Sequence, residues 1–142
     1  MKFKYVIYTI LILIAAGVGI GLKMYFKPHA DVSKLAPAYS VKASELMAEF
    51  TKDEKAATVK YVQKPIEIEG KLAAKSKLPN GNDLLVLEDE MQGVSCELDS
   101  VWSAANQPVV NSLTTGSPVT VKGICKGYLM EVKVSPAVVV NQ

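Results

Sequence analysis

Residues 5–22, YVIYTILILIAAGVGIGL, form an apolar run without a single charge. Eighteen residues of helix are just long enough to cross a hydrocarbon core of about 30 Å. No polar stripe marks a solvent-facing side, as it would on the surface helix of a globular protein. Lys2 and Lys4 precede the run, and Lys23 and Lys27 follow it. A cleaved signal peptide has a shorter apolar region and small residues at its cut. Here the bulky, basic KMYFKPHA follows, and a cut after Ala30 would put Pro28 three residues before the scissile bond. The pattern predicts an N-terminal transmembrane signal anchor over 1–26, with the membrane engaged through residues 5–22. Lysines are nearly balanced across the run, so the positive-inside rule is close to a tie. The usual behaviour of a first apolar segment then places the chain in the inner (cytoplasmic) membrane as a single pass, with its domain extracytoplasmic.

Residues 27–41 mix proline, alanine and charge without a period and read as a tether. Residues 42–62 read as one or two helices. Ser44 is a candidate N-cap; Leu46, Met47 and Phe50 share a side; the polar TKDEK stretch offers a break. After Pro65 the period changes to two. Ile66, Ile68, Gly70, Leu72 and Ala74 alternate with Glu67, Glu69, Lys71, Ala73 and Lys75, as in a strand with one buried face. PNGND at 79–83 signals a hairpin. LLVLED, VSCELD, SPVTVKGICKGY and the segment ending in SPAVVVN read as four further strands, with a short helix expected after Asp99 or Ser100.

Two of these strands carry a glycine at an inward position, Gly70 and Gly123. Glycine weakens a flat strand but serves a strand that bends or is closely approached. Three strands, a helical connection and two more strands, with glycines in the first and fourth, predict a closed sheet. The fold class is an all-β core with flanking helices: a five-stranded OB-fold Greek-key barrel over 63–142, preceded by one or two helices and an N-terminal transmembrane helix. Its long first strand pairs with both the second and the fourth.

YVQKPIEIEGKLA, GVSCELD and GSPVTVKGICKGY, in this order and after ASELMAEFTKDEKAA, resemble the bacterial tRNA_anti-like family over about residues 41–140. The resemblance implies an OB-fold related to anticodon-binding domains, and it bears on fold far more than on function. Many similar chains look like exported lipoproteins. This one departs from them, because no cysteine precedes Cys96.

Composition narrows the chemistry. All 16 basic residues are lysine, against 14 acids, for a net charge of +2. Residues 1–60 hold nine lysines and five acids, whereas residues 61–142 hold seven and nine. The expected barrel is therefore net acidic, a poor footprint for nucleic acid. OB-folds that bind single strands use aromatic and basic side chains on the second and third strands and on the flanking loops. Here those strands have no aromatic residue. The rim offers Lys75, Lys77, Lys126 and Tyr128 as candidate ligand-binding residues. Cys96 and Cys125, an even pair in an exported chain, are either a disulfide or two buried thiols. Trp102 is expected to plug one end of the barrel. The sole histidine, His29, lies in the tether, and the acids at 88–90 read as a solvated turn, so no metal and no cofactor is expected. No nucleophile elbow, Walker loop or zincin motif is present, and no catalytic residue is assigned. The expectation is a non-enzymatic binding module for a protein, peptide or glycan. The alternative is an OB domain for single-stranded, tRNA-like nucleic acid.

Overall fold

The structure, a computed structural model, describes residues 2–25 and 31–141. His29, with the tether positions up to Ala30, lies outside the described residues. The chain divides into two units, Met1–Ala30 and Asp31–Gln142. In the first unit, α1 spans Lys2–Tyr25. Its Tyr5–Lys23 stretch is long and apolar enough to cross a membrane, and none of it is buried.

The second unit begins with a 3-10 turn, Val32–Lys34. Strand β1 (Tyr39–Lys42) and helices α2 (Ala43–Lys52) and α3 (Glu54–Tyr61) follow, then strands β2 (Pro65–Lys77), β3 (Asp83–Leu87) and β4 (Val94–Leu98). Short helices α4 (Ser100–Ala105) and α5 (Gln107–Ser112) lead to β5 (Pro118–Tyr128) and β6 (Val132–Asn141). The sheet order is β1-β2-β3-β4-β6-β5, and β5 pairs back with β2. Strands β2 to β6 thus close a five-stranded barrel with β4 parallel to β6, and the other barrel pairings are antiparallel. This is the OB-fold connectivity. Strand β1, in a segment expected to be loose tether, adds to β2 in parallel.

Strand β2 explains the closure. Its first half, Pro65–Lys71, pairs with β5, and its second half, from Leu72, pairs with β3. The exchange of partners falls between Lys71 and Leu72, one residue past Gly70. A Cβ added at Gly70 would lie 2.9 Å from Ala43 Cβ, so the glycine admits the first residue of α2. Gly123 admits β6: its added Cβ would lie 2.4 Å from Val134 Cγ1 and 2.9 Å from the Pro136 carbonyl oxygen. Both glycines face the protein's own packed atoms, which is the structural role their strand positions suggest.

A register shift between Leu72 and Ala74 alters the alternation beyond Leu72. Ala74 now opposes Val86, and Lys75 opposes the fully buried Leu85. Ala74, expected to point inward, therefore lies on the outer side, and Lys75 takes the inward parity. A bulge adds one residue to a strand and flips the faces beyond it.

The helical segment breaks at Asp53, whose carboxylate accepts from Ala56 N–H at 3.0 Å and caps α3. Ser44 falls within the first turn of α2 instead of capping it; the cap position is Lys42, without a side-chain bond. Leu46, Phe50 and Tyr61 are each at most 1% exposed and join the barrel core. Burying side chains of this size stabilises by roughly 1.5–3 kcal/mol each. Val110 and Leu113 complete the core from α5 and its C-terminal end. Asp99 caps α4 by accepting from Trp102 N–H at 2.8 Å, and half-buried Trp102 packs against the core.

The disulfide reading is corrected. Cys96 and Cys125 are both buried and both free. Strand β6 runs between β4 and β5, so the two thiols belong to strands that are not neighbours.

Candidate binding face

Leu85, Leu87, Val94 and Cys96 point into the core, so Leu84, Val86, Ser95 and Glu97 point out of the barrel. Val86 opposes Ser95 and Leu84 opposes Glu97. Val86 and Ser95 face away from the core, yet they are only 7% and 6% exposed. Apart from Asp83 at the start of β3, which bonds to Ser103 of α4 and Gln107 of α5, strands β3 and β4 make their substantial contacts with other strands. By contrast, the outer side of β5 and β6 is covered by the 3-10 turn, where Val32 is 2% exposed and Lys122 Nζ donates to Ser33 O at 2.8 Å.

One carboxylate dominates the open face. Glu97 Oε1 accepts from Asn82 Nδ2 at 2.7 Å and from Asn80 Nδ2 at 3.0 Å, and Oε2 accepts from Ser135 Oγ at 3.3 Å. The amides of Asn82 and Asn80, with the Ser135 hydroxyl, hold this carboxyl below its usual range despite partial burial. The two asparagines come from the loop between β2 and β3. That loop turns about Pro79–Asn80, with Gly81 N–H donating to Leu78 O at 2.8 Å. All three donors are neutral, so the face keeps a fixed negative charge.

Three of the four candidate ligand-binding residues have partners inside the protein. Lys75 donates to Val110 O at 3.0 Å and to Leu113 O at 3.2 Å, satisfying carbonyls at the end of α5. Lys77 pairs with Asp83 at 2.9 Å. Tyr128 stacks on Phe50 of α2, with centroids 5.7 Å apart and planes 22° from parallel. Lys126 is exposed and makes no ion pair or hydrogen bond among the described residues. The four do not form one cluster.

Asp83, at the start of β3, is held from α4 and α5. Its carboxylate accepts from the Ser103 hydroxyl, from Lys77 and, at 3.4 Å, from Gln107. Burial pushes its carboxyl up, but these partners outweigh burial and hold it below the usual range. A recess of about 310 Å³ beside it is lined by Lys77, Asn82, Asp83, Ser103 and Gln107. A second recess, of about 330 Å³, lies along the outer side of β1 and β2 between Lys42, Glu45, Glu67 and Glu69. No group of three or more metal-ligating side chains occurs among the described residues. In the turn after β3, Asp89 is occupied by Met91 N–H and Gln92 N–H, at 2.8 and 2.9 Å.

Sequence reasoning missed Glu97, although the alternation in VSCELD already puts Ser95 and Glu97 opposite Cys96. Its asparagine partners lay unread inside the hairpin signal. It also missed the exposed Met91, Leu129 and Met130, which alternation cannot find because they sit in loops.

The tRNA_anti-like family model matches residues 1–141. A candidate nucleic acid-binding lipoprotein from Klebsiella pneumoniae subsp. pneumoniae is similar in structure, with a TM-score of 0.55 at 16% identity, over 81% of this chain and 100% of its own. Yeast Stn1 and Ten1 give a TM-score of 0.46 at 17% identity, over 81% of this chain and 68% of theirs. No curated protein matches the sequence. At these identities the structural likeness shows the fold alone.

Proposed function

We propose that this chain, which belongs to the tRNA_anti-like family, is a non-enzymatic binding module held at the inner membrane by its N-terminal apolar helix. Its barrel faces the extracytoplasmic side and takes a protein, peptide or glycan on the outer face of β3 and β4. One observation carries the reading: no helix packs substantially on that face, neither strand has an aromatic or basic side chain, and the Glu97 carboxylate is held in place there. Single-stranded nucleic acid needs stacking rings and cations that release condensed counterions. Lys75 and Lys77 are committed to α5 and Asp83, and Tyr128 to Phe50.

The description of the Klebsiella neighbour brings nucleic-acid binding as a second reading. A titration of the detergent-solubilised full chain with a labelled single-stranded oligonucleotide at low ionic strength separates the two. The proposal predicts no saturable binding. Saturable binding that weakens steeply with added salt contradicts it. The membrane orientation is checked separately by Thr115→Cys, an exposed position before β5. An impermeant maleimide labels it in cells whose inner membrane is intact if the barrel is exported, and fails to label it otherwise.

A further inference from the structure

We infer that the outer face of β3 and β4 receives an extended segment of a partner protein carrying a lysine or arginine about four residues from a large apolar side chain. The inference rests on the reading of this face as a binding surface and adds the chemistry of its occupant.

Three exposed apolar side chains stand in adjacent loops at one end of β4. Met91, Leu129 and Met130 are 81%, 81% and 76% exposed. They belong to two loops that the fold sets side by side. Val94 and Val132 are partners at the start of the parallel pair β4–β6, and Val132 N–H donates to Gly93 O at 3.3 Å. The other exposed large apolar side chains described in the second unit, Val59, Val101 and Val140, stand on α3, α4 and β6 respectively. Neighbouring exposed apolar side chains mark interaction sites where scattered ones do not. Two of the three are methionines, whose flexible thioethers adapt to varied partners.

The second feature is charge. Glu97 lies four residues along β4 from Gly93. At about 3.3 Å per residue this is about 13 Å, a distance an extended peptide spans in about four residues. Between the two points lie Val86 and Ser95, flanked by Ala74 and Leu84. Glu88, Asp89, Glu90 and Glu131 stand in the same two loops as the apolar cluster. The nearby cations are Lys133, opposite Ser95, Lys126 on β5, and the exposed Lys71, whose backbone N–H donates to Glu88 at 3.2 Å. Five carboxylates against three amines favour a cationic occupant, and Glu97 is already oriented by neutral donors to receive a charge-assisted hydrogen bond.

The test is a selection from a phage-displayed random peptide library on the full chain in detergent micelles. A selected peptide is then synthesised with a fluorescent label. The expected peptides place Lys or Arg about four positions from Leu, Met, Phe or Trp. Replacing the basic residue by Gln is expected to weaken binding about tenfold. Glu97→Gln, which keeps an acceptor for Asn80 and Asn82, is expected to abolish that difference. Met130→Ser, at an exposed position that leaves the core intact, is expected to weaken both peptides equally. Selected peptides without a basic residue, or a Lys-to-Gln penalty unchanged by Glu97→Gln, overturn the inference. If such peptides still photo-crosslink to Leu84, the binding-face reading survives alone. If no peptide is selected and the oligonucleotide binds, both fail.

Discussion

Cys96 and Cys125 are both register partners of the same residue, Val134, from opposite sides of β6. Two strand spacings put their Cα atoms about 9.5 Å apart, beyond the roughly 7 Å that a disulfide tolerates. Burial, and next to it the neighbouring Cys125, pushes the Cys96 thiol up to about 12, and burial raises Cys125 as well. Protein isolated from an oxidising compartment is therefore expected to carry two free thiols per chain. They should react with an aromatic disulfide reagent at pH 8 only after denaturation. Labelling that requires prior reduction contradicts this.

Gly123 and Gly70 differ in what surrounds them. Gly123→Ala meets Val134, Ala137 and a backbone carbonyl, whereas Gly70→Ala meets Ala43 and the mobile end of Glu88. Denaturant unfolding is expected to show losses of about 2–3 kcal/mol for Gly123→Ala and about 1 kcal/mol for Gly70→Ala. Adding Val134→Ala to Gly123→Ala is expected to recover only part of the loss, because the Pro136 carbonyl still blocks the new methyl group. Equal losses at the two glycines contradict the account.

Lys75 serves the fold. Losing its bonds to Val110 O and Leu113 O in Lys75→Met is expected to lower stability by about 1 kcal/mol. Lys126→Met, at an exposed site without partners, is expected to stay within about 0.5 kcal/mol of wild type. Thermal melts of the two variants side by side check the contrast.

How far the chain could be read depended on whether one face met core and the other water. The inward set Ile66, Ile68, Gly70 and Leu72 was legible for that reason, and with it the barrel. Beyond Leu72 a single bulge reversed the faces. A bulge has no period, so Lys75 looked like a rim cation when it reaches the end of α5. Strand β1 is four residues long behind Pro37, too short to show an alternation, and it takes the edge of the first half of β2 that β3 leaves open and β5 does not use. The thiol pair was misleading because shared inward parity says nothing about which strand lies between. For the candidate site, the lack of aromatic residues on β3 and β4 was plain from the sequence. The charge of Glu97 was plain too, but its three donors come from segments 15 to 38 residues away.

Asp83 and Glu97 give the barrel an acid-sensitive rim. Both carboxyls are held below their usual range in the folded protein. A depressed carboxyl contributes stability above its unfolded value, and that contribution is lost as pH falls through the lower folded value. The melting temperature is thus expected to be flat near neutrality and to fall below about pH 4. Asp83→Asn should begin lower at neutral pH and fall less steeply in acid. A variant with an unchanged acid slope contradicts the role given to Asp83.

The most direct test of the binding face puts a photo-crosslinking amino acid at Leu84 in the full chain, in native membranes, with Lys122 under the 3-10 turn as the control position. The account predicts an adduct at position 84 that protease destroys and nuclease leaves intact, and none at 122. A nuclease-sensitive adduct at 84, or equal crosslinking at the two positions, contradicts it.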